Sequence, residues 1–221
     1  MTIAVGVMAR APSAPGKTRL AADLSESRLR ALREALLADT LTVIGSVAHV
    51  QPFVFVTPDD AGDEMLPYLP REVPVRAQRG DDLGARMRNA LADLIDVERF
   101  NAAILVGTDT PLITAEHIDE ATALLRTRGG VVLGPADDGG YYLIGMTRVF
   151  PELFAGIEWG SDSVLMDTMQ TAERRQIDVC LIRGAYDIDT IDDLRRLARD
   201  LEIEPPQVAP HTRQVLKGLT Y

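Results

Sequence analysis

The feature that most constrains this chain is the alternation of two hydrophobic patterns. Unbroken apolar runs, Ile3–Ala9, Phe53–Thr57, Ala102–Val106, Val131–Leu133, Tyr141–Met146 and Ile177–Ile182, are separated by segments whose apolar residues recur at helical spacing. A run that is apolar at successive positions, rather than at alternate ones, belongs to a strand covered on both faces, the condition of parallel sheets. Between the runs, Leu29, Leu32, Leu36, Leu37, Leu41 and Ile44 share one helical face behind a capping Ser25, and Leu83, Met87, Ala90, Leu91 and Leu94 mark a second helix. Thr114, Ser161 and Thr190 stand as caps of three more. The pattern predicts an α/β fold of three layers, a mixed, mostly parallel sheet flanked by helices. Val131–Leu133 and Tyr141–Met146 have no helix between them, which implies one antiparallel element. The 221 residues fit one domain, expected over 1–203; proline-rich Glu204–Pro210 ends the fold, and the C-terminal segment, 204–221, is expected as a tail or a docking arm.

Charge narrows the partners. With 23 basic against 33 acidic residues the net charge is −10, which argues against a nucleic-acid or anionic-membrane surface. Lys17, Arg19, Arg79 and Arg86 remain candidates for a local phosphate site. The single cysteine, Cys180, lies in the apolar run IDVCLI, and His49, His117 and His211 show no metal-ligand spacing. Residues 3–9 are too short for a membrane span and lack a basic flank, so the cytoplasm is the expected compartment.

In open α/β sheets ligands bind beyond the carboxyl ends of the strands. Five such ends carry polar, glycine-rich segments: ARAPSAPGKTRL, QRGDDLGARM (after a probable strand at Val73–Ala77), GTDTPL, GPADDGGYYLIG and AYDIDTIDDL. Ala11 to Thr18 imitates a P-loop, but Pro12 and Pro15 each remove a backbone donor, and a fresh helix start at Ser25-Glu26 leaves none at Gly16. A proline-stiffened turn explains the prolines and Gly16, but not Lys17 and Arg19 beside them. Taken singly, Asp109 could cap a helix, Asp189 could cap the helix at Thr190, and Asp187 could be a solvated turn residue. Carboxylates on neighbouring strand ends, however, repel one another unless a cation lies between them, and magnesium takes oxygen ligands.

In their order, APSAPGKTRL, QRGDDLGARM, VGTDTPLI, GPADDGGYYLIG, IEWGSDSVLMDT and DIDTIDDL resemble the nucleotide-diphospho-sugar transferase superfamily over about residues 3–200. The match is nearest to a bacterial glycosyltransferase-like branch associated with arsenosugar biosynthesis. The phospholactate and phosphoenolpyruvate guanylyltransferases are more distant in appearance. The resemblance implies a GT-A fold that uses Mg²⁺ or Mn²⁺, with Asp109 and Asp189 as metal ligands. It implies a nucleotide held by Ala9, Arg10, Ala11, Gly16, Lys17, Arg19, Gly80, Asp82 and Gly84, and an acceptor held by Asp137, Gly139, Gly140 and Tyr141. Lys17, Arg19 and Asp138 are the residues it places in the chemistry, the first two as side-chain cations facing phosphates. Three departures stand out. The first loop lacks Gly-x-Gly-Thr-Arg, Thr108-Asp109-Thr110 carries one carboxylate where many glycosyltransferases have Asp-x-Asp, and Asp-Gly-Gly replaces the Gly-Thr-Gly segment of the guanylyltransferases.

The expected partners are a nucleotide or sugar-nucleotide donor and a small acceptor. Asp137 to Tyr142 offers two carboxylates and no base, which suits a neutral acceptor, whereas Lys-Thr-Arg-Leu suits a triphosphate; glycosyl transfer stands slightly first because the branch that the chain most resembles carries that label. Nucleotidyl transfer from a triphosphate to a phosphorylated or carboxylated acceptor is the alternative, and a non-catalytic nucleotide-binding module is a third.

Overall fold

The computed structural model describes residues 1–69 and 73–218. Seven strands, β1 (Ile3–Arg10), β2 (Val50–Thr57), β3 (Val75–Ala77), β4 (Ala102–Val106), β5 (Val131–Pro135), β6 (Tyr141–Met146) and β7 (Val179–Leu181), form one sheet. Their order is β3-β2-β1-β4-β6-β5-β7. β6 runs antiparallel to β4 and β5, and the remaining ladders among the described residues are parallel. This is the mixed, mostly parallel three-layer sheet that the unbroken apolar runs predict.

The helices are α1 (Glu26–Ser46), a single turn α2 (Gly62–Met65), α3 (Leu83–Ala92), α4 (Ala115–Thr127), α5 (Val164–Arg175), α6 (Ile191–Ile203) and α7 (Pro210–Lys217). Side chains alternate across the strands. Val5, Val7, Val54, Ile104 and Val106 pack against Leu37, Leu41 and Ile44 of α1 and Ile118 and Leu125 of α4. Ala4, Phe53, Phe55, Ala103, Leu105 and Ile144 face the other way, onto Met87 and Leu91 of α3 and Ala172 of α5. A third cluster joins Leu29, Leu32 and Leu36 to Leu194, Leu197 and Leu201 of α6 and to Leu216 of α7.

Several boundaries differ from expectation for local reasons. α5 starts behind Ser163, not Ser161. Val164 is the first apolar residue that packs inward there, and Ser161 lies two residues before Ser163, their hydroxyls bonded at 3.0 Å. β7 is shorter than Ile177–Ile182 because Gln176 adopts a left-handed φ of 55° and Ile177 N–H is spent on Ala172 O. Of the two expectations for the C-terminal segment, the docking arm fits: it folds back onto α1. Buried Asp39 of α1 accepts the N–H groups of His211 (2.9 Å) and Thr212 (2.8 Å) at the start of α7. Residues 219–221 of that segment lie outside the described residues.

Candidate active site at the carboxyl rim of the sheet

A cleft of about 460 Å³ opens over the carboxyl ends of β1, β2 and β4 and the beginning of β6. Its first wall is the loop after β1. Ala11 N–H donates to Thr57 O at 2.9 Å, and Ala14 N–H donates back to Ala11 O at 2.9 Å. Beneath the loop, buried Arg33 of α1 donates to Pro12 O (3.0 Å) and Gly16 O (3.4 Å) and pairs with Glu26. One guanidinium thus shapes the loop by binding its carbonyls. No helix begins at Gly16: Leu20–Ala22 form a single 3₁₀ turn and α1 starts at Glu26, so the loop is not a P-loop.

Lys17 takes a left-handed backbone, φ 53°, and its side chain turns inward, only 6% exposed. Its ammonium donates to Ile188 O at 2.5 Å and lies 2.7 Å from Asp109 Oδ1 and 3.7 Å from Asp189 Oδ1. The two strand ends are themselves joined by Ile188 N–H to Asp109 O, 2.9 Å. Arg19 departs from expectation. It is exposed and does not line the cleft, because the turn that buries Leu20 sends Arg19 outward. Ala11 is buried behind the loop, whereas Ala9, Arg10 and Gly16 line the cleft.

The second wall is the loop from β3 into α3. Gln78 donates from Nε2 to both Ala9 O and Phe55 O at 2.9 Å, tying the rims of β1 and β2. Gly80, Asp82 and Gly84, expected to touch nucleotide, instead build the start of α3 and are not among the lining residues. Gly80 has φ +141° and no room for a Cβ against the backbone of Ala85 and Arg86. Asp82 caps the helix by accepting Ala85 N–H at 2.7 Å. Gly84 lies under the Trp159 indole. From this wall the cleft receives Arg86, whose Nε donates to Gly80 O at 3.0 Å.

The third wall is acidic. Asp109, Asp138, Asp187 and Asp189 all line the cleft. Burial, then the charges of Asp138, Asp189 and Asp109, push the Asp187 carboxyl up to about 6. Among the described residues no group of three or more histidine, cysteine or carboxylate side chains is placed to hold a metal. Asp109 and Asp189 are nevertheless bridged by a cation, the Lys17 ammonium. Both carboxylates remain partly exposed, at 53% and 41%. Two oxygen donors around a position that already accommodates a positive charge fit an ion that draws its other ligands from phosphate and water.

Of the residues expected to hold an acceptor, Gly140 and Tyr141 line the cleft, but Asp137 and Gly139 do not. Asp137 pairs with Arg196 of α6 at 2.8 Å. Asp138 accepts Gly140 N–H at 2.9 Å, and Gly139, φ +89°, packs against the backbone of Asp162. The Tyr141 ring meets Trp159 edge-on at 6.4 Å. Arg86, a candidate phosphate cation in the sequence, and Asp187, weighed there as a turn carboxylate, both line the cleft, and so do Gln78, Trp159 and Ser161, which were not placed in the site from the sequence. A signal existed for Trp159, the sole tryptophan, set in IEWGSDS.

Comparisons with known proteins agree with this geometry. The family model described as "Uncharacterized protein conserved in bacteria (DUF2064)" matches residues 24–161. A phosphoenolpyruvate guanylyltransferase of Roseiflexus sp. (strain RS-1) is 31% identical over 187 residues, 83% of this chain and 79% of the relative. A 3-phospho-D-glycerate guanylyltransferase of Phenylobacterium zucineum (strain HLK1) is 29% identical over 188 residues, 83% of this chain and 84% of the relative. Among solved structures, a Desulfovibrio desulfuricans G20 protein provisionally named a nucleotide-diphospho-sugar transferase superposes with a TM-score of 0.90 at 28% identity, covering 99% of this chain and 95% of that one. These relatives favour the nucleotidyl alternative over the glycosyl reading that stood first.

Proposed function

This chain belongs to the DUF2064 family and is a transferase, and from that premise we propose that it transfers a nucleotidyl group, with GTP as donor, to a small phosphorylated or carboxylated acceptor. The observation that carries the reading is the charge layout of the cleft. Arg10, Lys17 and Arg86 line the side formed by β1 and α3, and a carboxylate pair on two separate strand ends faces them. The names of the guanylyltransferase relatives support guanine as the base and a small acid as the acceptor. The charge objection to an anionic acceptor also weakens, because Arg196 neutralises Asp137 and Asp138 is engaged by its own turn.

In this mechanism an acceptor oxygen, already anionic and needing no base, attacks the α-phosphorus. A new P–O bond forms, the bond from the α-phosphorus to the α,β-bridging oxygen breaks, and its electron pair leaves with pyrophosphate. Arg10 and Arg86, joined by Lys17 once it has exchanged carboxylates for phosphates, would offset the negative charge that moves onto the β- and γ-phosphates, where cations already in place are most effective because little solvent must reorganise. Asp109 and Asp189 would hold Mg²⁺ (or Mn²⁺), which when bound supplies Lewis-acid charge to phosphate oxygens.

The test is a donor panel with Mg²⁺. The four nucleoside triphosphates, each with phosphoenolpyruvate or 3-phosphoglycerate, are followed for pyrophosphate, and sugar nucleotides for nucleoside diphosphate. Pyrophosphate should appear with GTP and only with an anionic acceptor. Nucleoside diphosphate released from a sugar nucleotide, with no pyrophosphate from any triphosphate, would restore the glycosyl reading.

A further inference from the structure

We propose that Lys17 is an internal counter-cation, which holds the metal position closed in the nucleotide-free protein and yields it when triphosphate binds. The inference rests on the assignment of Asp109 and Asp189 as the carboxylates that would hold the metal. An ammonium has three N–H donors and no acceptor. Here two oxygens lie within bonding distance, Ile188 O at 2.5 Å and Asp109 Oδ1 at 2.7 Å, and Asp189 Oδ1 stands at 3.7 Å as an ion-pair partner. The side chain is therefore committed to the carboxylates and withdrawn from water at 6% exposure, and is not a cation waiting in solvent for a phosphate. An ammonium and a divalent ion held by the same two carboxylates repel each other, and Lys17 already occupies Oδ1 of Asp109 at 2.7 Å. Metal entry therefore favours the departure of Lys17.

The backbone makes leaving feasible. Lys17 is held at φ 53° in a loop whose neighbours Arg19 and Thr18 are exposed. A non-glycine residue there gains from relaxing to an ordinary conformation. The carbonyls on either side of the loop are fixed by Arg33 at Pro12 and Gly16, so the movable part is confined to Lys17 and the residues that follow it. A triphosphate in the cleft offers the ammonium new anionic oxygens and lets it exchange carboxylates for phosphates. The carboxylates are then free for the metal. Loading of the two ligands is coupled, and by linkage each must tighten the other by the same factor.

The experiment measures Mn²⁺ binding by the loss of its free-ion electron paramagnetic resonance signal, on the full chain, with and without the α,β-methylene analogue of GTP. Wild type should bind Mn²⁺ at least tenfold more tightly with the analogue present. Lys17→Met, which keeps the apolar stem and removes the charge, should bind Mn²⁺ without nucleotide at least tenfold more tightly than wild type, and bind the analogue more weakly. Lys17→Arg keeps the charge and should leave the nucleotide-free Mn²⁺ affinity low, which separates loss of charge from loss of folding. Equal Mn²⁺ affinity in wild type and Lys17→Met, still abolished by Asp109→Asn with Asp189→Asn, would overturn the counter-cation and leave the metal assignment standing. Mn²⁺ binding insensitive to that double change, or absent throughout, would overturn both.

Discussion

Gly84→Ala should be destabilising, although it replaces glycine by the best helix former. Gly84 is the second residue of α3, after the Asp82 cap, where alanine would ordinarily gain about 0.5–1 kcal/mol. A Cβ built there, however, falls 2.4 Å from Cε2, Cζ2 and Nε1 of Trp159, against the ~3.5–4.0 Å at which carbon atoms attract. The indole cannot slide away freely, because Phe154 stacks on it with centroids 6.4 Å apart and Tyr141 meets it edge-on at 6.4 Å. Overpacking of this kind costs about 1–3 kcal/mol. Subtracting the helix gain leaves, at the middle of these ranges, a net loss of about 1 kcal/mol, or a fall in Tm of about 2–4 °C for a domain of this size. Urea denaturation followed by far-UV circular dichroism is the assay, since the sole tryptophan is itself varied. In a Trp159→Ala background the clash is absent, so Gly84→Ala should turn neutral or stabilising by up to about 1 kcal/mol, and the double-mutant cycle should show a coupling of about 1–3 kcal/mol. A Gly84→Ala protein as stable as wild type, with Trp159 in place, would refute the reasoning.

His117 is buried, with its Nδ1 accepting from Thr114 N–H at 3.1 Å, and burial followed by the nearby Arg183 holds its pKa below the ordinary value, against Glu120 and Glu116. The unfolded chain therefore takes up the proton first, so stability should fall as pH drops below about 6.5, by at most about 1.4 kcal/mol per unit, until the folded value is passed. His117→Gln should flatten that part of the Tm–pH profile relative to wild type, and two parallel profiles would contradict the account. Asp39→Ala leaves two N–H groups at the start of α7 without their carboxylate, so it should cost about 2–3 kcal/mol in urea denaturation. A loss below ~0.5 kcal/mol would show that α7 does not depend on that cap.

What was legible in the sequence was whatever depends on neighbours a few residues apart. Strands announced themselves because a sheet covered on both faces demands apolar residues in succession. Thr114 and Thr190 announced helix starts because a capping residue and its N3 partner are local, and both form reciprocal capping boxes. Ser161 misled because two serines stand two residues apart, and the choice between them was made by the burial of Val164. The candidate site was legible as strand ends but not as charge. Asp137 counted as a free carboxylate until Arg196, 59 residues on, folded across it, and that count had leaned the acceptor side towards a neutral molecule. Gly84 read as a glycine cleared for nucleotide, whereas the object it clears is an indole contributed from residue 159. Lys17 was legible as a cation; its partners were not, since Asp109 and Asp189 come from elements separated by most of the chain.

The one reversed strand sets the distance between the two halves of the cleft. β1 delivers the Lys17 loop at its carboxyl end, and β4 delivers Asp109 three residues past Val106. Because β6 runs the other way, its beginning, Tyr141, stands on that same rim, and the Asp138–Tyr141 turn faces Asp109. In a parallel β6 the turn would lie at the opposite edge of the sheet, and Met146 would occupy the rim. In the sheet order β1, β4 and β6 are consecutive, so at about 4.8 Å per strand the end of β1 and the start of β6 lie about 10 Å apart. Under the proposed transfer that span would hold one phosphoryl group and the atoms that attack and leave it, with the donor over β1 and the acceptor over β6. Asp109, on the strand between them, would then be the carboxylate best placed to bring a cation to the group in transit, and Lys17 is the cation that reaches it from within the chain.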